Sequence, residues 1–227
     1  MNAAASLLAI ETSTEACSVA LAVGGAVFER HEIAPREHTR LVLPMVQSVL
    51  AEAGLALADI DAFVMGRGPG AFTGVRIAVG VVQGLAFSVD RPVVPVSSLA
   101  TVAQGVMEAG ATHVAVAFDA RMDEVYWGAF VRDAAGVADL VGPEAVLPPD
   151  AVSLPQPGPW VGAGSGFAAY SERLSGRLGL REGYAQRLPR ARDALVLGRR
   201  AWRAGAAVDA AQAQPVYIRD RVVQNRS

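Results

Sequence analysis

The order of apolar runs and glycine turns constrains the fold of this 227-residue chain more than any other feature of its sequence. Three short apolar runs open the sequence, at Leu7 to Ile10, Cys17 to Val23 and Val27 to Ile33. Turn-forming residues separate these runs, and Gly24-Gly25 lies between the second and the third. Short runs joined by a tight glycine turn are typical of hairpins, so the chain is predicted to open as a meander of antiparallel strands.

Helices and strands alternate in the remainder of the first half. Apolar residues at helical spacing predict a helix over His38 to Ala53, and Gly54 is placed to end it. The elements predicted next are a strand at Ala62 to Met65, a helix at 74–88, a strand at Val93 to Val96 and a helix that Ser97 or Ser98 caps and that ends near Glu108. A strand, helix, strand unit predicts parallel strands joined by a right-handed crossover.

The same pattern starts again at residue 112 and predicts a second α/β half. Its predicted elements are strands at Val114 to Phe118, Val125 to Arg132 and Trp160 to Gly162, a loop at Leu147 to Pro159, a helix at Phe167 to Leu178 and an amphipathic helix at 193–205 that Asp193 caps. We therefore expect two subdomains, residues 1–110 and 111–227, with the last helix packing back toward the first. The stretch Val216 to Ile218 is short enough for an edge strand or an ordered coil.

Composition excludes several classes of enzyme. All 20 basic residues are arginines, and this rules out a Walker A loop, a kinase strand lysine and a pyridoxal Schiff base, which need a lysine at a fixed place. A net charge of -2 provides no global positive field, so contact with nucleic acid is expected to be local or through a partner. A single cysteine, a start without a basic region and no uninterrupted apolar run near 20 residues predict a cytoplasmic chain with no membrane segment.

A glycine-rich turn is the most conspicuous motif of the first half. Five of its residues are predicted to form a structural loop: Gly66, Gly68, Pro69, Gly70 and Gly74. Nucleotide binding is the weaker interpretation, because Pro69 lacks a backbone N–H donor and no acidic residue ends the following strand. In the helix that follows, Gly80 and Gly84 are four residues apart and leave room for another backbone to approach.

Two polar turns are candidates for a cleft. One of them lies within the stretch Leu8 to Ser18, which resembles the phosphate-1 motif of the actin, hexokinase and heat-shock-chaperone ATPase superfamily. Here Glu11 stands at the aspartate position and Ser13 at the position of a glycine that phosphate approaches closely. The motif therefore indicates the fold of this superfamily more strongly than it indicates ATP binding. The second turn carries Asp119, Arg121 and Glu124, and two interpretations stay open: a solvated hairpin with an ion pair, or a polar patch facing the interdomain cleft.

Residues suited to metal binding or nucleophilic catalysis are scattered. His31 and His38 lie seven residues apart with a loop expected between them, and His113 is far along the chain. Cys17 lies in an apolar run, which favours a small core residue over a nucleophile. We predict no catalytic residue, no metal and no other cofactor.

Five motifs follow one another along the chain: Ile10-Glu11-Thr12-Ser13, Arg36-Glu37-His38-Thr39 with Leu43-Pro44, Gly66 to Arg76, Pro95-Val96-Ser97-Ser98-Leu99 and Asp119 to Tyr126. In this order they resemble the TsaB (YeaZ) family of bacterial tRNA threonylcarbamoyladenosine biosynthesis proteins. The resemblance extends from Leu7 to about Ile218 and is loose between Pro143 and Arg190. It implies an actin-like α/β fold of two ribonuclease-H-like subdomains, each with a mixed sheet and helices.

The resemblance also implies a function without catalysis. Members of this family are subunits for threonylcarbamoyladenosine modification of tRNAs that read codons beginning with adenine, and they bind and activate a catalytic paralogue, TsaD. In TsaD a His-x-x-x-His motif binds the metal, whereas Ser98 and Val102 hold those two places here. The alternatives are a nucleotide-binding phosphotransferase and a glycoprotease-type metallopeptidase, both of which rest on fold analogy.

The two long helices of the first half are the implied contact with TsaD or with a second copy of the chain. The predicted interface consists of apolar and small residues: Leu43, Val46, Leu50, Val75, Val79, Gly80, Val82 and Gly84. The implied partners are TsaD, the ATPase accessory TsaE through the complex, and a second copy when the chain is alone. Contact with tRNA is expected to be indirect or weak, and the arginines around the last helix are expected to form a solvated basic face.

Overall fold

The computed structural model describes residues 5–219, except for the side chains of residues 181 and 182. The first half contains β1 (Leu7–Glu11), β2 (Ala16–Val23), β3 (Ala26–Ile33), α1 (His38–Ala53), β4 (Ala62–Gly66), α2 (Phe72–Val89), β5 (Val93–Val96) and α3 (Ser98–Glu108). The second half contains β6 (His113–Arg121), β7 (Glu124–Arg132), β8 (Ala138–Leu140), β9 (Ala145–Leu147), β10 (Trp160–Ala163), α4 (Ser165–Ala169), β11 (Arg181–Tyr184) and α5 (Ala191–Arg203). The α/β class is as predicted.

Both halves are built on the same strand order. The first sheet has the order β3-β2-β1-β4-β5, in which β1 to β3 are antiparallel and β4 and β5 run parallel to β1. The second sheet has the order β11-β10-β6-β7-β8, and β9 pairs separately with β7. With β9 set aside, each sheet is an antiparallel meander extended by two parallel strands, so the molecule is a duplicated unit.

The two sheets and their helices form stacked layers. Along β1, Leu8 and Ile10 face α1 and α2, whereas Leu7 and Ala9 face the opposite side of the sheet. That opposite side packs on α3 and α5, which lie between the two sheets. The outer face of the second sheet is covered by α4 and its neighbours, with Phe167 against the strands. The central strands β1, β2 and β4 are therefore buried on both faces, which explains why their sequences are mostly apolar.

Local capping signals place two of the helices. Gly54 ends α1 in the left-handed conformation with φ 66°, a conformation that glycine adopts at little cost. Ser97 caps α3, and its hydroxyl accepts hydrogen bonds from the N–H groups of Leu99 and Ala100 at 3.1 and 3.2 Å. The predicted bounds of α1 and the predicted cap of α3 are confirmed.

The last helix differs from its prediction at both ends. It spans Ala191–Arg203 instead of 193–205, and Asp193 lies inside the first turn rather than at the cap. The N–H of Ala191 is satisfied by the hydroxyl of Ser18, at 2.9 Å, which comes from β2. Because this partner is remote in sequence, local capping rules could not find it. Gly205, with φ 73°, follows the end of the helix.

The helix predicted over Phe167 to Leu178 is also corrected. The segment divides into α4, which ends at Ala169, and a π-helical turn over Glu172–Gly176. Tyr170 between them departs from helical geometry, with φ -130° and ψ 41°. The break lets Phe167 and Leu174 both reach the core of the second sheet.

Candidate functional site

The glycine-rich turn is interlocked with the turn between β1 and β2. A Cβ atom on Gly74 would overlap the carbonyl oxygen of Thr12, and one on Gly70 would overlap the backbone of Ser13. The Thr12 hydroxyl donates to the Gly74 carbonyl at 2.7 Å, and the N–H of Ala71 donates to the Ser13 carbonyl at 2.7 Å. The glycines are thus required for backbone contact within the protein, and protein atoms fill the space in front of the first turn.

Glu11 is enclosed in the same structure. Its side chain lies against Gly66, where an added Cβ atom would overlap the carboxylate, and the residue is 1% exposed. The N–H of Ser13 donates to Oε1 at 2.6 Å and the hydroxyl of Ser98 donates to Oε2 at 2.7 Å. Burial raises the pKa of Glu11, and these hydrogen bonds oppose the rise without cancelling it. Glu11 joins the first turn to the start of α3.

The turn between β6 and β7 is open by comparison. Arg121, Met122 and Asp123 all have positive φ, between 57° and 62°, and form the tip of the hairpin. The Arg121 side chain is 85% exposed and its guanidinium lies 3.0 Å from the Asp119 carboxylate. The arrangement is a solvated hairpin with an ion pair, one of the two interpretations left open above.

The five candidate cleft residues do not form one cluster. Glu11 and Ser13 share no hydrogen bond or ion pair with Asp119, Arg121 or Glu124 within residues 5–219. Ser13 and Glu11 are each 1% exposed, and the Ser13 hydroxyl is buried without a hydrogen-bond partner. The predicted patch is therefore not assembled from these groups.

The two places at which the resemblance implies metal-binding histidines in the paralogue offer little to a metal here. The hydroxyl of Ser98 is engaged by Glu11, and Val102 is fully buried among the side chains between the sheets. Across the described part of the chain, no three His, Cys, Asp or Glu side chains are grouped to hold a metal ion. Burial raises the pKa of the Cys17 thiol to about 11, which disfavours the nucleophilic thiolate.

Most of the predicted interface residues are core residues, which corrects that prediction. Five of them face the first sheet and are less than 9% exposed: Val46, Leu50, Val75, Val79 and Val82. Their apolar character is explained by packing on the first sheet, where α1 lies against β2 and β3 and α2 lies against β4 and β1. Leu43, Gly80 and Gly84 are exposed and do lie on the outer face of the two helices.

The outer face of α1 and α2 carries residues that the sequence analysis missed. Phe72 and Phe87, at the two ends of α2, are 65% and 62% exposed, and Leu43 of α1 is 46% exposed. Between the two rings, an added Cβ atom on Gly80 or on Gly84 would have no atom within 4 Å. The spacing of Phe72, Gly80 and Gly84, in steps of four, is the signal that could have identified this stripe.

By length and composition α2 would be able to cross a membrane, and it is the one described helix of that kind. Its inner side chains pack on the first sheet, as in a core helix. The apolar residues on its outer side remain exposed, as described above.

A groove of about 590 Å³ lies between the two halves, on the side of α5. Its walls include Arg67 and Ser97 from the first half and Glu144 from the second. Glu144 accepts a hydrogen bond from the Ser97 hydroxyl and lies 3.4 Å from the Arg67 guanidinium. Burial raises the pKa of Glu144, although Ser97 and Arg67 act in the opposite direction. The sequence analysis did not identify the pairing of Arg67 with Glu144, because these two residues are 77 positions apart.

The C-terminal segment crosses back over the first half. Val208 pairs with Val93 through two hydrogen bonds of 2.8 Å, which cover the edge of the first sheet. Farther along, the N–H of Val216 donates to the Arg67 carbonyl at 3.0 Å. Arg219 then reaches the second half, where it pairs with Glu124. The stretch at Val216 is an ordered coil, one of the two forms expected.

Arginines around the last helix are largely neutralised. Arg187 pairs with Asp193 at 3.1 Å and Arg190 pairs with Glu29 at 2.6 Å. Arg200 lies 3.2 Å from Asp133, before β8, and 3.4 Å from Asp139, within β8. Such pairs leave few free cations for a phosphate backbone.

The chain matches the family described as TsaD: tRNA N6-adenosine threonylcarbamoyltransferase over residues 20–173. It is 46% identical to the tRNA threonylcarbamoyladenosine biosynthesis protein TsaB of Escherichia coli, over 95% of each chain. It is 39% identical to the TsaB protein of Haemophilus influenzae, over 95% of this chain and 94% of that one. The solved structure of YeaZ from Pseudomonas aeruginosa is 52% identical, with a TM-score of 0.89 over 94% of this chain and 99% of that one.

The duplicated five-strand order, with helices between the sheets, and these matches define an actin-like α/β protein with ribonuclease-H-like halves. Its first phosphate turn is closed by its own glycine-rich loop. The chain belongs to the TsaB family of tRNA threonylcarbamoyladenosine biosynthesis proteins. The resemblance and the fold inferred from the sequence are confirmed.

Proposed function

We propose that this chain is the non-catalytic, essential subunit that binds and activates its TsaD-type paralogue. The reaction served is the threonylcarbamoyl modification of the adenosine in tRNAs that read codons beginning with adenine. The outer face of α1 and α2 is the proposed contact surface, and the observation that carries the proposal is the exposed stripe of Phe72, Gly80, Gly84 and Phe87.

The stripe has the geometry of a helix-packing surface. Its centre is two glycines without side chains, so a partner helix can come close to the α2 backbone. Aromatic rings at both ends would then lie beside the crossing helix and supply apolar area. An apolar stripe of this kind on a helix already anchored in the core is typical of a surface that another protein covers.

The interlocked first turn supports the non-catalytic part of the proposal. Thr12 and Ser13 contact the glycine-rich loop through their backbones, so a phosphate group would have to displace protein atoms. Ser98 and Val102 supply no imidazole where TsaD binds its metal. A phosphotransferase or a metallopeptidase would need these groups.

The remaining partners follow from the same surface. We propose that a second copy covers the stripe when the paralogue is absent, and that TsaE acts through the assembled complex. Contact with tRNA is proposed to be indirect or weak because most arginines around α5 are paired. The proposed location is the cytoplasm.

Reconstitution tests the proposal directly. This chain, the TsaD protein of the same organism, or both are mixed with the synthetase of the pathway, TsaE, threonine, bicarbonate, ATP and tRNA. Modified adenosine is measured by mass spectrometry. Product that requires both proteins supports an activating subunit; product from this chain alone, or from TsaD alone at the same rate, contradicts it.

Gly80→Leu is the variant that addresses the surface. The position is exposed with no atom within 4 Å of an added Cβ, so the chain should fold while the notch is filled. Gly176→Leu is the matched control, because it is also exposed and unobstructed but lies in the second half. We expect Gly80→Leu to abolish binding and product, and Gly176→Leu to change neither. Val82→Asp is unsuitable, since a charge at this fully buried position would unfold the chain.

A further inference from the structure

Arg76 is held between two aromatic rings at the start of α2. Its guanidinium carbon lies 3.2 Å from the centre of the Phe72 ring and 5.2 Å from the centre of the Tyr217 ring. The two rings are 6.3 Å apart, and Tyr217 comes from the C-terminal segment that crosses back over the first half. Two ring faces fix the plane of the guanidinium, which reduces the entropy that it would lose on binding a ligand.

The donors of this guanidinium have no partner in the part of the chain that the structure describes. Arg76 is exposed and, within residues 5–219, it makes neither an ion pair nor a hydrogen bond. Its neighbouring arginines differ, because Arg67 pairs with Glu144, Arg121 with Asp119 and Arg219 with Glu124. Among these four arginines Arg76 alone is both fixed in orientation and unpaired.

Two exposed aromatic residues lie beside Arg76, and an exposed methionine lies beside Arg219, two residues beyond Tyr217. Phe72 is 65% exposed and Tyr217 is 49% exposed. Met122, at the tip of the second turn, is 66% exposed, and its sulfur lies 3.8 Å from the guanidinium of Arg219. We call Phe72, Arg76 and Tyr217 the aromatic–arginine patch. Phenylalanine, tyrosine, methionine and arginine are the residues enriched in protein interfaces.

The charge of the patch selects its occupant. A nucleic acid would bring a row of phosphates, but the other arginines nearby are neutralised and the chain carries a net charge of -2. A single planar guanidinium within apolar surroundings suits a single carboxylate, which it can bind through two parallel hydrogen bonds. Arg76 and Gly80 are one helical turn apart, so the patch continues the stripe on α2.

We propose that the aromatic–arginine patch binds an acidic segment of the TsaD-type partner, with one carboxylate on Arg76 and flanking apolar groups on the rings of Phe72 and Tyr217. The proposal rests on the function proposed above and adds the chemistry of the contact. Because Tyr217 belongs to the C-terminal segment, that segment becomes part of the binding surface.

Calorimetric titration of the wild type and variants with the purified TsaD protein tests the proposal. Arg76→Ala is expected to raise Kd about tenfold and to reduce its dependence on salt concentration, as loss of a well-placed interface arginine does. Arg76→Lys should recover little, since an ammonium group neither stacks on the rings nor binds a carboxylate in the same way. Tyr217→Ala should raise Kd about threefold. Circular dichroism and urea unfolding establish that each variant folds.

Three outcomes overturn the proposal, and they are distinguishable. If Gly80→Leu abolishes binding while Arg76→Ala binds like the wild type, the patch is not in the contact and the proposed function stands. If the folded wild type does not bind TsaD, the proposed function fails with it. If Arg76→Ala weakens binding of tRNA in a parallel titration but leaves Kd for TsaD unchanged, the patch serves RNA instead.

Discussion

The β1–β2 turn and the β6–β7 turn occupy equivalent places in the two halves, yet their environments are opposite. In the first, Glu11 and Ser13 are each 1% exposed and the glycine-rich loop contacts them through its backbone. In the second, Arg121 has an 85% exposed side chain, and the glycines of the corresponding loop, Gly164 and Gly166, pack against Ala117, farther back along β6. Strand order alone therefore does not show whether such a turn can bind a ligand. The access of a ligand depends on whether a loop packs directly against the turn.

The difference has a chemical basis in glycine. Gly70 and Gly74 allow two backbones to meet, and this contact uses the space and the hydrogen-bonding groups that a phosphate would need. The side chain of Glu11 fills the neighbouring space, where it lies against Gly66. The first turn has become part of the core, while the second turn has become part of the surface.

The largest effect is expected from Gly74→Ala, which tests the interlocked turn. The new methyl group would overlap the Thr12 carbonyl oxygen, and a backbone group is unable to move aside cheaply. We expect a loss of about 3 kcal/mol in the free energy of unfolding, measured with urea. Gly80→Ala in the same helix is the control; it meets no atom and should gain about 0.5 to 1 kcal/mol. Equal effects at both positions would contradict the contact.

Glu11→Gln examines the buried carboxyl group. Its pKa is raised in the folded chain, so the unfolded chain ionises first as pH rises above the ordinary range of a glutamate. The free energy of unfolding of the wild type should therefore fall with rising pH until the folded carboxyl also ionises. Glutamine can still accept the Ser13 N–H through its oxygen and can donate its amide N–H to the Ser98 hydroxyl, and it does not ionise. The free energy of unfolding of the variant should therefore rise relative to that of the wild type as pH rises above the ordinary pKa of a glutamate.

Urea unfolding at several pH values measures this gain. Glu15→Gln removes the same charge from an exposed residue of the same turn and serves as the control. A constant difference between Glu11→Gln and the wild type across the pH range would show that the carboxyl group is not destabilised by burial.

A smaller effect is expected at the open turn. Arg121→Ala removes an exposed ion pair with Asp119, and such pairs contribute little because water screens them. The free energy of unfolding should change by less than about 0.5 kcal/mol. A loss as large as that of Gly74→Ala would mean that the second turn is as structural as the first.

No binding is expected in the last experiment, in which the chain is titrated with Mg-ATP. Titration of the isolated chain with Mg-ATP should give no heat of binding, with any Kd weaker than about 1 mM. The physical reason is that protein backbone fills the first phosphate turn. Stoichiometric binding at micromolar concentration would contradict the interlocked turn and favour the phosphotransferase alternative.

Elements with local signals were predictable to the residue. The sequence defines α1 through helical spacing and through Gly54, whose left-handed conformation ends it. The cap of α3 at Ser97 was likewise visible, because a serine hydroxyl needs only the next turn of backbone. The start of α5 was not, since its first N–H is satisfied by Ser18 across the fold.

The candidate interface shows the same limit. Apolar residues at helical spacing predicted α1 and α2, but the spacing did not distinguish the inner side of each helix from the outer. Val46 and Val82 proved to be core residues, while Phe72 and Phe87 proved to be exposed. Periodicity reports which residues share a face, and only the sheet beneath determines which face is buried.

By itself, the sequence determined the α/β class, most element bounds in the first half and, through motifs in a fixed order, the TsaB family. These properties depend on short-range chemistry: side-chain periodicity, caps and glycine turns. The tertiary structure decided the closure of the first turn, the pairing of Arg67 with Glu144 and the packing of Tyr217 against Arg76. Each depends on groups that are distant along the chain and meet only after folding, so no local pattern encodes them.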